Sequence, residues 1–153
     1  MEENLRTEHR GPFVPDLSEA EAGSYSPLVL AFTGDAVYEL AIRTMLVMRG
    51  NARPNDLNRM KNRLVKAAAQ SAMMEIIEPM LTEEEEAIYR RGRNAKSYTM
   101  AKNATMADYR RATGFEALIG YLYLCGRSDR MYALISAGLD AVSGAGPSAK
   151  GKE

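Results

Sequence analysis

Residues 30–46, LAFTGDAVYELAIRTML, decide how the chain is read. The stretch has the apolar length of a buried helix, yet Asp35 and Glu39 stand inside it as the only charged side chains between residues 22 and 42. Upstream, Ser26 and Pro27 supply a hydroxyl cap followed by proline at the first helical position, and Gly50 supplies the stop, which predicts a helix over about 27–49. Its whole circumference is apolar, as in a central helix buried on several sides. An ionised carboxylate inside such a helix is costly unless it reaches water, takes up a proton, pairs with a cation or binds a metal.

The rest of the chain is read around that helix. Its 153 residues are enough for one domain with one hydrophobic core, and 46% hydrophobic with 26% charged residues is a globular balance. No apolar run approaches a membrane span, so no membrane partner is expected. A single cysteine, Cys125, excludes an internal disulfide, and the acidic start MEENLRTEHR lacks an apolar signal core. A soluble protein of a reducing cytoplasm is expected. The net charge of zero hides segregation: residues 1–22 carry six acids against Arg6 and Arg10, and 75–86 carry six acids and no base. By contrast, 53–66 carry five bases against Asp56, and 90–111 carry seven against Asp108.

Period-two alternation persists nowhere, and Ala, Leu, Met, Glu, Lys and Arg dominate, so the fold class is all-α. A second helix is expected after Pro54, capped by Asn55 or Asp56 and continuous to Ile77; it turns Leu57, Met60, Leu64 and Ala68 inward while Arg59, Arg63 and Lys66 share another face. Thr82 caps a third helix, with Glu85 three residues on as in a capping box and four glutamates in the first turn, where the helix dipole favours them. That run reads as a solvated helix start with no catalytic role. The basic loop RGRNAKSYTMAKNAT follows, then helices over about 106–125 and 128–142. The domain limits are therefore 25–142, between a mobile segment over 1–24 and a disordered tail over 143–153.

The late helix repeats the opening puzzle, because Glu116 is the one charge among Tyr109, Ala112, Ile119, Gly120 and Tyr123. Asp35 and Glu116 each lack a Lys or Arg within one turn, which leaves two readings. Either acid emerges at a helix edge or pairs with a distant arginine such as Arg43 or Arg127, or the two together hold a hard cation beside small residues (Gly34, Ala36, Ala117, Gly120). Magnesium takes oxygen ligands and completes its shell with water and substrate phosphate. The chain's one histidine, His9, and one cysteine are too few for zinc or for Ser-His or Cys-His catalysis. Metal-assisted chemistry on an anionic substrate is the leading enzymatic class. Arg59, Arg63 and Lys66, together with Arg91, Arg93, Asn94, Lys96 and Ser97, offer donors suited to phosphates; the same cations would also serve as solvated partners of the acidic stretches.

TGDAVYE (33–39) with FEALIGYLYL (115–124) resembles the paired catalytic helices of the ribonuclease III endonuclease domain. The ordered segments RPNDLNRMKNRLVKAAAQ, TEEEEAIYRRGRNAKS and YRRATGFEALIGYLYL resemble, more narrowly, the Mini-ribonuclease III family, over about residues 27–142. That resemblance implies a dimeric helical bundle and a Mg²⁺-dependent endoribonuclease that cuts double-stranded RNA, leaving 5′-phosphate and 3′-hydroxyl ends. It also implies precursor 23S ribosomal RNA as substrate, with a ribosomal protein as a candidate presenter. Asp35 and Glu116 would be catalytic and hold the metal, with Glu39 and, through a water, Thr113 as further candidates. Two acidic positions usual in ribonuclease III are Leu28 and Thr113 here, as in the Mini subfamily. No double-stranded-RNA-binding domain is expected after residue 142, so the basic segments would carry the affinity. The alternative is a catalytically inactive domain of this type that binds duplex RNA or ribosomes.

Overall fold

A computed structural model of the chain describes residues 11–96 and 105–142. Among them there are seven α-helices, a single 3₁₀ turn and no strand. The helices are α1 (Glu19–Ser24), α2 (Pro27–Met48), α3 (Pro54–Val65), α4 (Ala67–Ile77), α5 (Glu83–Asn94), α6 (Met106–Leu124) and α7 (Ser128–Val142), with the 3₁₀ turn at Glu78–Met80. The all-α expectation and most helix limits hold. Pro27 and Pro54 sit in the first turns of α2 and α3, where a missing N–H costs nothing.

The spine of the bundle is α6, which packs against α2, α4, α5 and α7. Phe115, Ala117, Leu118, Ile119 and Leu122 are fully buried on it, and the Phe115 ring meets Tyr38 of α2 edge to face at 5.1 Å. The central position expected for α2 is corrected. One side of α2 is core, with Leu30, Tyr38 and Ile42 fully buried, but Phe32 is 80% and Leu40 65% exposed on the other. An apolar circumference does not distinguish a helix buried within its own chain from one that leaves a face outward.

The expected continuous helix to Ile77 breaks at Lys66, whose backbone is extended (φ −68°, ψ 155°). The carbonyls stranded by the break find side-chain partners. Tyr38 donates its hydroxyl to Leu64 O at 2.7 Å, and Gln70 donates its amide to Val65 O at 3.3 Å. The mobile segment expected over 1–24 is also corrected within the described residues. Ser18 and Glu21 form a capping box that starts α1, Leu17 N–H donates to Leu124 O at 3.0 Å, and Ala22 is buried. Residues 1–10 and 143–153 lie outside the described residues.

The glutamate run behaves as expected in one respect and not in another. Thr82 and Glu85 form the reciprocal capping box. Glu85 itself is fully buried rather than solvated, gripped by Arg130 of α7 through Nε and Nη2 at 2.9 Å each. Arg130 also donates to Met80 O at 2.8 Å, which fastens the start of α5 to α7.

Candidate active site

The site is set by how closely α2 and α6 approach. A Cβ added at Gly34 would lie 1.7 Å from the Glu116 carbonyl oxygen, and one added at Gly120 would lie 1.9 Å from Leu30 O. Only glycine fits at either position, so the two backbones touch. Asp35 follows Gly34 and Glu116 lies one turn before Gly120. The contact delivers the two acids to one cleft, lined also by Thr113, Tyr109 and the apolar Phe32 and Leu40. Sequence spacing alone could not join positions eighty residues apart; the glycine contact does.

Neither acid forms an ion pair with a Lys or Arg among the described residues, and the two arginines considered for them are engaged elsewhere. Arg43 pairs with Glu39 at 3.5 Å and Arg127 with Glu19 at 3.6 Å. Burial, and then the charge of Asp35, push the Glu116 carboxyl up to about 8, against a hydrogen bond from Gln70 that pulls it down. Desolvation and then Glu39 raise Asp35. At neutral pH Glu116 therefore tends to keep a proton unless a positive charge enters the cleft.

That donor set fits a hard cation that takes a few carboxylate oxygens and completes its shell from water and substrate. Among the described residues no group of three or more His, Cys, Asp or Glu side chains could hold a metal, which leaves no softer or fully protein-built site. Thr113 lines the cleft as expected; its hydroxyl donates to Tyr109 O at 3.0 Å and keeps lone pairs for another donor. Glu39 does not line the cleft. Lys61 holds it at 3.1 Å, with Arg43 on its other oxygen, so it has the counter-charges that Asp35 and Glu116 lack.

The expected phosphate-binding residues divide. Arg63 and Lys66 are exposed and form no ion pair among the described residues, while Arg59 is paired with Asp56 at 2.8 Å on the surface. Arg93 lies over the Tyr89 ring, 5.7 Å from its centroid, with Nε donating to Asn94 Oδ1 at 3.4 Å. Asn94 and Lys96 are exposed, and Ser97 falls outside the described residues. Arg91, also exposed, has backbone partners within the chain. It donates to Gly23 O at 2.6 Å and Tyr25 O at 3.0 Å, closing the end of α1 onto α5. Sequence reasoning passed over Gln70 and Arg130. A lone glutamine within AAAQSAMMEII was the available signal for the first; the second had none nearby.

The pattern of the Ribonuclease III domain matches residues 28–127. Mini-ribonuclease 3 of Enterococcus faecalis is 52% identical over 111 residues, which span 71% of this chain and 84% of that protein. The chain belongs to the Mini-ribonuclease III family. The Mini-ribonuclease 3 of Brevibacillus brevis agrees at 48% over 119 residues, 78% of this chain and 89% of the relative. That of Symbiobacterium thermophilum agrees at 47% over 116 residues, 76% and 89%. The X-ray crystal structure of a Fusobacterium nucleatum protein superposes with a TM-score of 0.71 at 31% identity, covering 82% of this chain and 95% of that one. The family consists of ribonuclease III-type endoribonucleases, so the cleft belongs to a domain whose substrate is RNA, and no helix among the described residues is long and apolar enough to cross a membrane.

Proposed function

We propose that this endoribonuclease cuts double-stranded RNA with Mg²⁺ held between Asp35 and Glu116, and that it acts as a homodimer in which each subunit cuts one strand. The observation that carries the reading is the pair of carboxylates brought into one cleft by the Gly34–Gly120 contact, with no Lys or Arg among the described residues paired to either. A divalent cation there supplies the positive charge that activates water and offsets charge building on the scissile phosphate. The chain's own part is to hold the two carboxylates in one cleft, where they would be the residues to hold the cation, and to orient the duplex. Arg63, Lys66 and Lys96, exposed, and Arg93, half-buried, are the cations for backbone phosphates, with Asn94 and Ser97 as neutral donors and Arg59 available by leaving its surface pair. The outward face of α2 around Phe32 and Leu40 supports the homodimer, since apolar exposure of this size on one helix marks an interaction surface. The physiological substrate under this reading is precursor 23S ribosomal RNA, cut to 5′-phosphate and 3′-hydroxyl ends with a short overhang.

The test is end-mapped cleavage of precursor ribosomal RNA with and without Mg²⁺, with and without ribosomal proteins, by the wild type and Asp35→Asn. Asp35→Asn is expected to lower the cleavage rate about a thousandfold or more, equivalent to roughly 4 kcal/mol of transition-state stabilisation, while duplex binding is retained. Near-normal cutting by Asp35→Asn sinks the assignment. Salt-sensitive binding by the wild type with no cuts at any metal concentration supports the inactive binding module instead.

A further inference from the structure

The helix that carries Arg63 is lightly anchored. α3 contributes no fully buried residue, and its Leu57, Leu64 and Val65 pack against the core only in part. A helix with so little apolar anchorage takes its orientation from its polar ties. It packs mainly against α2, and among the described residues two side-chain ties from adjacent positions of α2 reach it. The Tyr38 hydroxyl donates to Leu64 O at 2.7 Å, and Glu39 accepts from Lys61 Nζ at 3.1 Å. Neither is a loose surface contact. Tyr38 is fully buried with its ring against Phe115, and the Lys61 side chain is only 12% exposed. Phenylalanine would fill nearly the same space in the core, so what the hydroxyl adds is its grip on the last turn of α3, beside the Met73 sulfur at 3.2 Å. Burial also raises the phenol's pKa, so it remains a donor at any working pH.

We infer that Tyr38 and Glu39 are positioning residues for duplex binding, which dock α3 on α2 so that Arg63 and Lys66 stand at a fixed place relative to the acid cleft. This rests on the reading that those cations meet RNA phosphates. Asp35 lies one turn before the pair, so the acid and both ties share one rigid element. The pinned carbonyl of Leu64 lies one residue after Arg63 and two before Lys66, where the backbone turns extended and α3 ends. Both cations are exposed and form no ion pair among the described residues, so the backbone beneath them sets where they stand. Phosphates follow one another along a duplex at a fixed spacing, and a small rotation of α3 would take the two cations out of step with them while a scissile bond lies in the cleft. Glu39, which does not line that cleft, then has its own reason to sit in α2. It holds Lys61.

The experiment measures affinity per folded molecule for a blunt RNA duplex, in metal-free buffer over a series of salt concentrations. The proteins are wild type, Tyr38→Phe, Glu39→Ala and Arg63→Ala/Lys66→Ala, the last also combined with Tyr38→Phe. Glu39→Ala discriminates by sign: loss of an acid tightens RNA binding if net charge alone acts, and weakens it if the acid docks α3. Tyr38→Phe and Glu39→Ala are each expected to raise the dissociation constant about 3- to 10-fold and to lower the salt slope by about one, as for a lost phosphate contact. In the Tyr38→Phe background, Arg63→Ala/Lys66→Ala should cost less than it does in wild type, because the cations are already displaced. With Mg²⁺ present, Tyr38→Phe should raise KM for the duplex and leave kcat within a few-fold. Unchanged affinity in Tyr38→Phe, tighter binding by Glu39→Ala, or full additivity with the cation pair overturns the inference, whatever the melting temperature does. Should Tyr38→Phe fail to fold, the half-buried Glu39→Ala carries the same readouts. If Arg63→Ala/Lys66→Ala binds as tightly as wild type, the reading of these cations falls and this inference with it. If that variant loses affinity while Tyr38→Phe and Glu39→Ala keep it, only the docking role falls. The acid cleft is judged separately, by cleavage with Asp35→Asn.

Discussion

Glu85 and Glu116 are both carboxylates set on helices against the apolar core, and the chain treats them in opposite ways. Around Glu85, burial pushes the pKa up, but the Arg130 hydrogen bonds, the Thr82 N–H and the charges of Arg130 and Arg127 outweigh it and hold the carboxyl below its ordinary value. Around Glu116 burial and then the like charge of Asp35 push the pKa up, and no Lys or Arg among the described residues pairs with the carboxyl. Glu85 is fully buried, whereas Glu116 keeps part of its surface open to the cleft. Burial therefore does not set the two acids apart; the presence or absence of a built-in counter-charge does. Glu39 supports the same rule within α2 itself, where its pairing with Lys61 and Arg43 separates it from Asp35 only four residues away.

The contrast can be broken in three places, beginning with the largest expected effect. Arg130→Met leaves Glu85 buried without its cation and should cost about 3–5 kcal/mol in denaturant unfolding. Cleavage per folded molecule should be unchanged; a loss of activity beyond the loss of folded protein would join the two acids that are kept apart here. Gly34→Ala forces a methyl into the Glu116 carbonyl, and α2 and α6 must separate. The stability loss should lie near the top of the ~1–3 kcal/mol usual for overpacking, but here cleavage falls as well, because the carboxylate pair spreads. Unfolding and activity measured on the two variants side by side separate an acid that holds the fold from one that the fold holds.

The smallest effect is in pH, where the two acids have opposite signs. Glu85 has a lowered folded pKa, so its stabilisation is present above the ordinary glutamate value and is lost as the solution is acidified. Glu116 has a raised folded pKa, so its contribution is complete below the ordinary value near 4.5 and is lost as pH climbs towards about 8. Metal-free protein should accordingly melt lower by on the order of 5 °C at pH 8 than at pH 5. Glu116→Gln should flatten that slope, and saturating Mg²⁺ should remove it. A wild-type melting temperature that does not change over this range would place Glu116 in water, against the burial described above.

Much of this was legible in the amino-acid order because local signals carried it. Pro27, Pro54 and the Thr82–Glu85 box set helix starts, and an acid with no cation within one turn in each of two apolar helices marked Asp35 and Glu116. What was hidden depends on partners far along the chain. The break at Lys66 rests on Tyr38, twenty-six residues before Leu64, donating its hydroxyl to the Leu64 carbonyl. Arg91 looked like its basic neighbours until Gly23 and Tyr25 occupied it. The Ser18–Glu21 capping box was readable but lay in a stretch whose Glu, Pro and Gly content argued against structure. The outward side of α2 was unreadable in principle, since composition around a helix cannot report which side has a neighbour.

The glycine contact between α2 and α6 bears finally on how the protein comes apart. Asp35 and Glu116 are carried by two backbones that touch inside the buried core, so no lid or loop motion can separate them. Local openings of small free energy, at chain ends or around the α3–α4 break, leave the acid pair intact. Dismantling the pair requires parting the α2–α6 interface, which is the same event as losing the core. The acid pair thus belongs to the cooperative unit that opens last, and any molecule still folded there carries both acids in one cleft.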